Sequence, residues 1–329
     1  RFATWRAPSA VDPPLATAST KHLIFHGPRG NHTSGGGRID ALVQTAPASA
    51  INGVLRLTEQ GEAINQSYGL SPIALRTLDR AFSALSLATS QAIRSPPQAD
   101  NPKHIELCAR MVEVSRDTYR RLVFSDPTFF EYFETVTPID VISRMQIGSR
   151  PASRPDKQGL DALRSVPWVF AWTQSRHMLP YWYGAGAGLD AAISSDGLAA
   201  VQTAYREWGF FRHLIDDVET SLARTDLDIA AYYNDLAYVS LHRYFVDIRR
   251  EFERVAELVL EVKGQSQLLD RDKTLQRSME LRNPYVDPMH MMQIDLLRRW
   301  RATDRQDRQL FDTLVATVSG IALGLQSTG

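Results

Sequence analysis

Cysteine is almost absent from this sequence, which has one, Cys108, in 329 residues. A single thiol cannot close an internal disulfide, so a disulfide-stapled secreted scaffold is excluded and a reducing cytoplasm is the natural compartment. The spacing of cysteine and histidine that binds zinc is missing as well. Cys108 falls on the apolar face of a predicted helix, where we expect an unreactive thiol.

An excess of charge and long apolar runs are also missing. The chain has 37 basic and 37 acidic residues, so its formal net charge is zero. A nucleic-acid or anionic membrane surface attracts basic proteins, so neither partner is predicted. No run of 18 apolar residues occurs, and the apolar stretch Val318–Leu325 is too short to cross a bilayer. Because the chain starts at Arg1 with no signal-peptide pattern, we expect a piece of a longer cytoplasmic protein.

The composition that remains is that of a globular protein, with 43% hydrophobic and 22% charged residues. Its length corresponds to about two domains or one large barrel-type unit. No repeat of fixed period is visible, so a solenoid is not expected.

Strand patterns are confined to the first part of the chain. Residues 1–20 are rich in Ala, Pro, Ser and Thr and predict a weakly ordered lead-in. Lys21–His26 predicts a short buried strand, and Val54–Thr58 a second one. After Pro72 the patterns are helical almost to the end.

Apolar residues at spacings of three and four predict amphipathic helices over Ile105–Leu122 and Phe245–Val262. Two more helices are predicted over residues 287–303 and 305–325, with Pro288 as a helix boundary. The aromatic and β-branched segment Val166–Gln174 fits either a buried strand or a buried helix, because length alone does not decide.

A glycine-rich loop follows the first predicted strand, with five glycines between Gly27 and Gly37. Backbone N–H groups in such a loop can surround a phosphate or carboxylate. No Gly-Lys-Ser/Thr sequence ends the loop and no helix follows at once, so neither a P-loop nor a dinucleotide fingerprint is indicated. His26 beside it could carry a proton or hold an anion. From these residues alone, a surface loop and a structural histidine are the favoured alternatives.

Arginine is concentrated in one region, where Arg150, Arg154, Arg164 and Arg176 fall within 27 residues. The guanidinium fork binds phosphate or carboxylate with two parallel hydrogen bonds. Arg164 and Arg176 flank the apolar segment and are the better candidates for a specific anion. The alternative is a solvated or salt-bridged surface, most of all for Arg154.

Three acids, Asp216, Asp217 and Glu219, fall on one predicted helix and could bind a divalent metal. A solvated or salt-bridged helix face is the favoured interpretation. No Gly-x-Ser-x-Gly nucleophile elbow is present.

Seven ordered segments together resemble the C-terminal third of the phosphoenolpyruvate carboxylases. They are Phe25-His26-Gly27 with Gly35-Gly36-Gly37, Leu57–Glu62, Gly148–Pro151, Leu163-Arg164, Val166–Arg176, Leu281-Arg282-Asn283 and Gln326–Gly329. Residues 1–20 fall outside the resemblance.

The resemblance implies a mainly α-helical fold with a few β-strands. It would be the C-terminal part of a (β/α)8 TIM-type barrel with large helical additions, in a homotetramer. Residues 1–20 would be the lead-in, 21–180 the last barrel strands, glycine-rich loop and connecting helices, and 181–329 the C-terminal helical region. The N-terminal part of the same enzyme would complete the barrel.

The implied reaction forms oxaloacetate and phosphate from phosphoenolpyruvate and bicarbonate, with Mg²⁺ or Mn²⁺. The resemblance puts Arg164 on the substrate phosphate, Arg150 near the same anion and His26 beside the reacting carboxyl groups. The residues of the implied substrate-binding loop are Gly27, Arg29, Gly30, Ser34 and Gly35. The metal ligands would precede this chain, so we expect the chain alone to be inactive. A non-catalytic or regulatory carboxylase-like subunit is the alternative, and an unrelated helical interaction module is what the residues would favour without the resemblance.

Two positions depart from the implied pattern, since Pro28 and Ser34 stand where the family loop has arginine. Arg29 is one place off. Losing one preorganised charge donor costs about 10²–10³ in rate, so we expect a weak or divergent carboxylase. The implied inhibitory site for aspartate or malate would consist of Ser34, Arg224, Arg282 and Ser327. With so few of its expected groups retained, we expect weak or absent feedback.

Overall fold

The chain is mainly α-helical in a computed structural model. The structure describes Val43, residues 53–55, Ile64, and residues 67–94, 100–145, 151–154 and 159–326. The predicted mainly helical fold is confirmed. The strand predicted at Lys21–His26 lies outside the described residues.

Strands are missing from the described ranges, where the one β-type contact is an isolated antiparallel bridge between Ser153 and Leu163. Val54 and Leu55, the described part of the second predicted strand, have no regular secondary structure. The strand prediction is wrong for these two residues. A strand needs a neighbour to pair its N–H and C=O groups, and none lies beside them in the described part of the chain.

Fourteen α-helices and one 3₁₀-helix, Val239–Leu241, make up the described regions. The α-helices are α1 (Ser71–Arg94), α2 (Pro102–Ser125), α3 (Thr128–Val136), α4 (Ile139–Ile142), α5 (Gly159–Ala162), α6 (Ser165–Gln174), α7 (Leu179–Trp182), α8 (Ala185–Asp196), α9 (Leu198–Glu207), α10 (Gly209–Arg224), α11 (Leu227–Asn234), α12 (Arg243–Lys263), α13 (Lys273–Ala302) and α14 (Arg308–Leu325).

Helix α6 resolves the ambiguity of the aromatic segment, because Val166–Gln174 is helical. Phe170, Ala171, Trp172, Thr173 and Gln174 are consecutive and all buried. A helix that is buried on nearly all sides has no polar stripe, so its sequence shows no 3.6-residue period.

Helix α13 begins fourteen residues before the start predicted at residue 287 and contains Pro284 and Pro288. The prediction of a boundary at Pro288 is therefore wrong. Each proline removes one backbone N–H donor of the helix. Because the two prolines are four residues apart, both missing hydrogen bonds fall on the same side of the helix, and the hydrogen bonds on its other side are kept. The Asp272 carboxylate caps the N-terminus by accepting from the Leu275 N–H at 3.0 Å.

The described residues divide into two compact units. One takes the described part of Arg1–Ala109 with Ala199–Ile215, and the other the described part of Arg110–Leu198 with Asp216–Gly329. No helix in the described ranges combines the length and hydropathy needed to cross a bilayer.

An aromatic cluster holds α6 in the second unit. Trp172 is fully buried, and its ring centroid lies 5.3 Å from that of Phe133 and 6.0 Å from that of Phe129. Trp168 lies 4.5 Å from Phe133 and donates its indole N–H to the Tyr119 hydroxyl at 2.9 Å. Such packing places the two ends of α6 precisely.

Helices α8 and α12 are joined through the Glu251 carboxylate. Its Oε1 accepts hydrogen bonds of 3.1 Å from the N–H groups of Gly184 and Gly186 at the start of α8. A carboxylate at this position satisfies donors that the helix cannot pair and meets the positive end of its dipole. Burial raises the pKa of Glu251, and these hydrogen bonds oppose that rise.

Candidate functional site

Arg164 is placed at the N-terminus of α6 by a short backbone pairing. Its N–H donates to the Ala152 carbonyl at 3.0 Å, and the Arg154 N–H donates to the Ala162 carbonyl at 2.8 Å. Arg164 itself is extended, at φ −84° and ψ 158°, and caps the helix. The residue is therefore fixed immediately before the first free N–H groups of a ten-residue helix.

The Arg164 guanidinium is half-buried and carries no counter-charge among the described residues. Its Nε is buried, and within the described ranges it has no hydrogen-bond partner. An incompletely solvated cation without a partner is costly. Because the start of a helix also favours negative charge, Arg164 and α6 together suit a phosphate or carboxylate.

Arg176, the second predicted candidate, has a different environment at the other end of α6. Its side chain is 1% exposed, and its Nη atoms lie 3.4 Å from Asp226 Oδ2 and 3.3 Å from Asp287 Oδ1. Its carbonyl accepts from the Asp226 N–H at 3.0 Å. Arg176 is therefore salt-bridged inside the protein and does not present a free fork to a ligand.

Arg154 is exposed, in keeping with the solvated-surface alternative that the sequence favours for it. Its Nη1 donates to the carbonyls of Asp161 at 3.0 Å and Leu163 at 3.4 Å. Both bonds support the turn that positions Arg164.

Arg282 is coupled electrostatically to Arg176 and Arg224. Burial, followed by the charges of Arg176 and Arg224, lowers the pKa of Arg282 to about 10. Burial also lowers the pKa of Arg224. Arg282 donates from Nη2 to Asn283 Oδ1 at 3.0 Å. Arg224 and Arg282, two of the four residues predicted for dicarboxylate binding, are thus electrostatically coupled, and their role in binding stays a prediction.

Two of the three predicted acids on α10, Asp216 and Glu219, form an internal ion-pair network. Lys263 is buried, and its ammonium pairs with the carboxylates of Asp216 and Glu219. Glu219 also accepts from the Leu269 N–H at 2.9 Å. This is the salt-bridged helix face that the sequence favours. Across the described ranges, no group of three or more His, Cys, Asp or Glu residues could hold a metal ion.

Cys108 is buried, and burial raises the pKa of its thiol to about 12. The thiol is therefore protonated at neutral pH, as expected for an unreactive cysteine.

Most of the predicted substrate site lies outside the described residues. This applies to His26, Gly27, Arg29, Gly30, Ser34, Gly35, Arg150 and Ser327. Their roles stay predictions.

The carboxylates of Asp226 and Asp287 were missed as site residues. They pair with Arg176 across 50 and 111 positions, so no local spacing indicates the contact. The available signal was proximity in sequence to other candidates, since Asp226 follows Arg224 by two residues and Asp287 follows Arg282 by five.

Comparison with known proteins identifies the family that this chain matches. The family described as phosphoenolpyruvate carboxylase matches residues 3–329. Phosphoenolpyruvate carboxylase of Xanthomonas campestris pv. campestris (strain 8004) is 40% identical over 100% of this chain and 36% of its own length. The enzyme of Roseiflexus castenholzii is 38% identical over 93% of this chain and 34% of its own length. Phosphoenolpyruvate carboxylase 2 of Chlamydomonas reinhardtii is 37% identical over 94% of this chain and 25% of its own length.

The chain spans about a third of the length of the curated relatives that it matches. The family match covers residues 3–329, so the expectation that residues 1–20 fall outside the resemblance is wrong. The resemblance inferred from the ordered motifs is confirmed, and the chain belongs to the phosphoenolpyruvate carboxylase family.

Proposed function

We propose that the longer protein containing this chain forms oxaloacetate and phosphate from phosphoenolpyruvate and bicarbonate, as a carbon–carbon lyase. The observation that carries the proposal is Arg164, a half-buried guanidinium without a described counter-charge at the start of α6, inside a motif of this family. A fixed cation and the free N–H donors of a helix N-terminus suit a phosphoester, and both are present where Arg164 precedes α6.

In this reaction, bicarbonate attacks the phosphorus of phosphoenolpyruvate, and the enolate leaves as carboxyphosphate forms. Carboxyphosphate then releases carbon dioxide and phosphate, and the enolate carbon captures the carbon dioxide. Arg164 holds the phosphate, Arg150 stabilises the same anion, and His26 lies beside the reacting carboxyl groups. Hydrogen-bond donors that already point toward these anionic groups lower the activation barrier of the reaction. They do so because they stabilise the negative charge that shifts from one group to another in the transition state. The site must also exclude water, because water would destroy both intermediates.

Mg²⁺ or Mn²⁺ would supply charge neutralisation for the enolate. No described group of residues fits such an ion. We place its ligands in the part of the longer protein that precedes this chain, and no step of this chain's residues depends on them.

The proposed architecture follows from family membership. Residues 21–180 contribute the last strands of a (β/α)8 barrel with the glycine-rich loop, residues 181–329 form the C-terminal helical region, and residues 1–20 lead in. The complete enzyme is a cytoplasmic homotetramer. It has no nucleic-acid or membrane partner, in keeping with the balanced charge of the chain.

A weak regulatory site for aspartate or malate is part of the proposal. Arg224 and Arg282 supply cationic groups near each other. Ser34 and Ser327 stand where the family site has longer polar groups, so the dicarboxylate loses hydrogen bonds that it would otherwise make.

A non-catalytic, regulatory carboxylase-like subunit is the second candidate. Pro28 and Ser34, which replace two loop arginines, favour it. The retained Arg164 favours the enzyme.

Turnover separates these candidates. We expect the longer protein to form oxaloacetate in an assay coupled to malate dehydrogenase, with a requirement for bicarbonate and a divalent metal. The 329-residue chain alone should give background rates, because the family resemblance puts the metal-binding carboxylates before this chain. Robust turnover by the chain alone contradicts the proposed division of the site. A longer protein that binds phosphoenolpyruvate without turnover supports the regulatory subunit.

A further inference from the structure

The first turn of α6 is attached to α2 and α3 through one side chain, that of Trp168. Its indole N–H donates to the Tyr119 hydroxyl on α2 at 2.9 Å, and its ring centroid lies 4.5 Å from that of Phe133 on α3. Its backbone N–H donates to the Arg164 carbonyl at 3.2 Å, which closes the first turn of α6. Trp168 therefore connects the position of Arg164 to two neighbouring helices.

The hydrogen bond between Trp168 and Tyr119 has a defined direction. An indole N–H can only donate, so the Tyr119 oxygen is the acceptor. Burial raises the pKa of Tyr119 to about 12, so the hydroxyl stays protonated at neutral pH. Trp172, the other tryptophan of α6, has no partner for its buried indole N–H among the described residues. Within those residues, the contact with Tyr119 is the one indole hydrogen bond that α6 makes.

Tyr119 lies in a part of α2 that packs closely against the start of α8. A Cβ atom at Gly184 would lie 2.5 Å from the Ser115 carbonyl oxygen and 3.4 Å from the Tyr119 backbone nitrogen, so a larger residue does not fit there. The Gly184 N–H is in turn held by the Glu251 carboxylate at 3.1 Å. Because backbones packed this closely leave little room for movement, the Tyr119 hydroxyl is a fixed acceptor.

We propose that Tyr119 is a positioning residue for Arg164 and acts through Trp168. The inference rests on the proposed function, in which Arg164 holds the phosphate of phosphoenolpyruvate. The Arg164 N–H is held on one side by the Ala152 carbonyl at 3.0 Å, and Trp168 fixes the helical turn that follows. A displacement of about 1 Å in a binding group can cost about 10²-fold in rate, so a residue behind the site can affect catalysis.

The test is a double-mutant cycle in the longer protein, with steady-state kinetics for phosphoenolpyruvate. Tyr119→Phe keeps the ring and removes the acceptor, so we expect kcat/KM to fall by about tenfold. In an Arg164→Gln background the same change should cost less than about twofold, because the guanidinium that Tyr119 positions is gone. A tyrosine that only stabilises the fold would lower both backgrounds by the same factor.

Tyr244→Phe is the matched control, because it also deletes a tyrosine hydroxyl from the second unit. That hydroxyl makes its hydrogen bonds to Thr128 on α3 at 2.6 Å and to Arg243 on α12 at 3.1 Å. We expect wild-type kcat/KM from this variant.

Trp168→Phe removes the donor of the hydrogen bond instead of its acceptor, and it serves as the second variant if Tyr119→Phe does not fold. It should show a loss of similar size that likewise depends on Arg164. Combining it with Tyr119→Phe should add less than about twofold, because the two changes remove the same hydrogen bond.

A Tyr119→Phe enzyme within about twofold of the wild type overturns the inference. An equal loss in both Arg164 backgrounds, or in Tyr244→Phe, also overturns it. Thermal melting of each variant checks that it is folded. Turnover by the wild-type longer protein tests the proposed function separately. If that protein binds phosphoenolpyruvate without turnover, the same cycle is measured on affinity by calorimetry, and absence of binding overturns both.

Discussion

Replacing Arg164 by glutamine in the longer protein is expected to lower kcat/KM for phosphoenolpyruvate by about 10²–10³. Glutamine keeps a hydrogen-bonding group of moderate length but removes the charge. The loss should be large because the proposed role of Arg164 is to neutralise and hold the substrate phosphate, which an uncharged amide cannot do. Arg164→Lys should recover part of the activity, since it restores the charge without the planar fork.

Steady-state kinetics at saturating bicarbonate measures this effect. Arg308→Gln is a suitable control, because that side chain is 91% exposed and lies in the first turn of α14, where we expect wild-type kinetics. An Arg164→Gln enzyme within about threefold of the wild type, with its melting temperature preserved, would remove the proposed role of this residue.

Gly188→Ala is expected to cost the second unit about 3 kcal/mol of unfolding free energy. A Cβ atom at this position would overlap Ser115 Oγ and would lie 2.5 Å from the Met111 carbonyl oxygen. The serine side chain can rotate away, but the carbonyl belongs to the backbone of α2 and cannot. The helices must therefore separate, which disturbs the packing between them.

Thermal denaturation of the purified chain measures the loss, at about 2–4 °C per kcal/mol for a protein of this size. Gly264→Ala serves as the control, because its backbone is left-handed at φ 60° and ψ 51° but nothing lies within 4 Å of the new Cβ. That variant should show backbone strain of about 1 kcal/mol. A Gly188→Ala protein at least as stable as Gly264→Ala contradicts the close approach of the helices.

Amphipathic helices were the most predictable part of the fold. The apolar spacing over Ile105–Leu122 and Phe245–Val262 corresponds to α2 and α12. The sequence of a half-buried helix shows apolar residues with a 3.6-residue period, because only one face of the helix is apolar. The fully buried α6 carries no such period, and the prolines of α13 indicated a boundary where the surrounding packing maintains the helix.

The site was predictable to the extent that it depends on local sequence. Arg164 is a candidate from its position beside an apolar segment, and its buried Nε has no hydrogen-bond partner among the described residues. Arg176 has the same sequence context but opposite surroundings, because Asp226 and Asp287 reach it from distant segments. Tertiary contacts of this kind decide whether an arginine binds a ligand or an internal carboxylate. The spacing of residues along the sequence does not reveal such contacts.

The most direct test of the central claim is a crystal structure of the longer protein with an unreactive analogue of phosphoenolpyruvate. We expect the analogue's phosphate at about 3 Å from the guanidinium groups of Arg150 and Arg164. The imidazole of His26 should face the same pocket. A phosphate bound elsewhere, or three side chains directed away from one another, would contradict the proposed site.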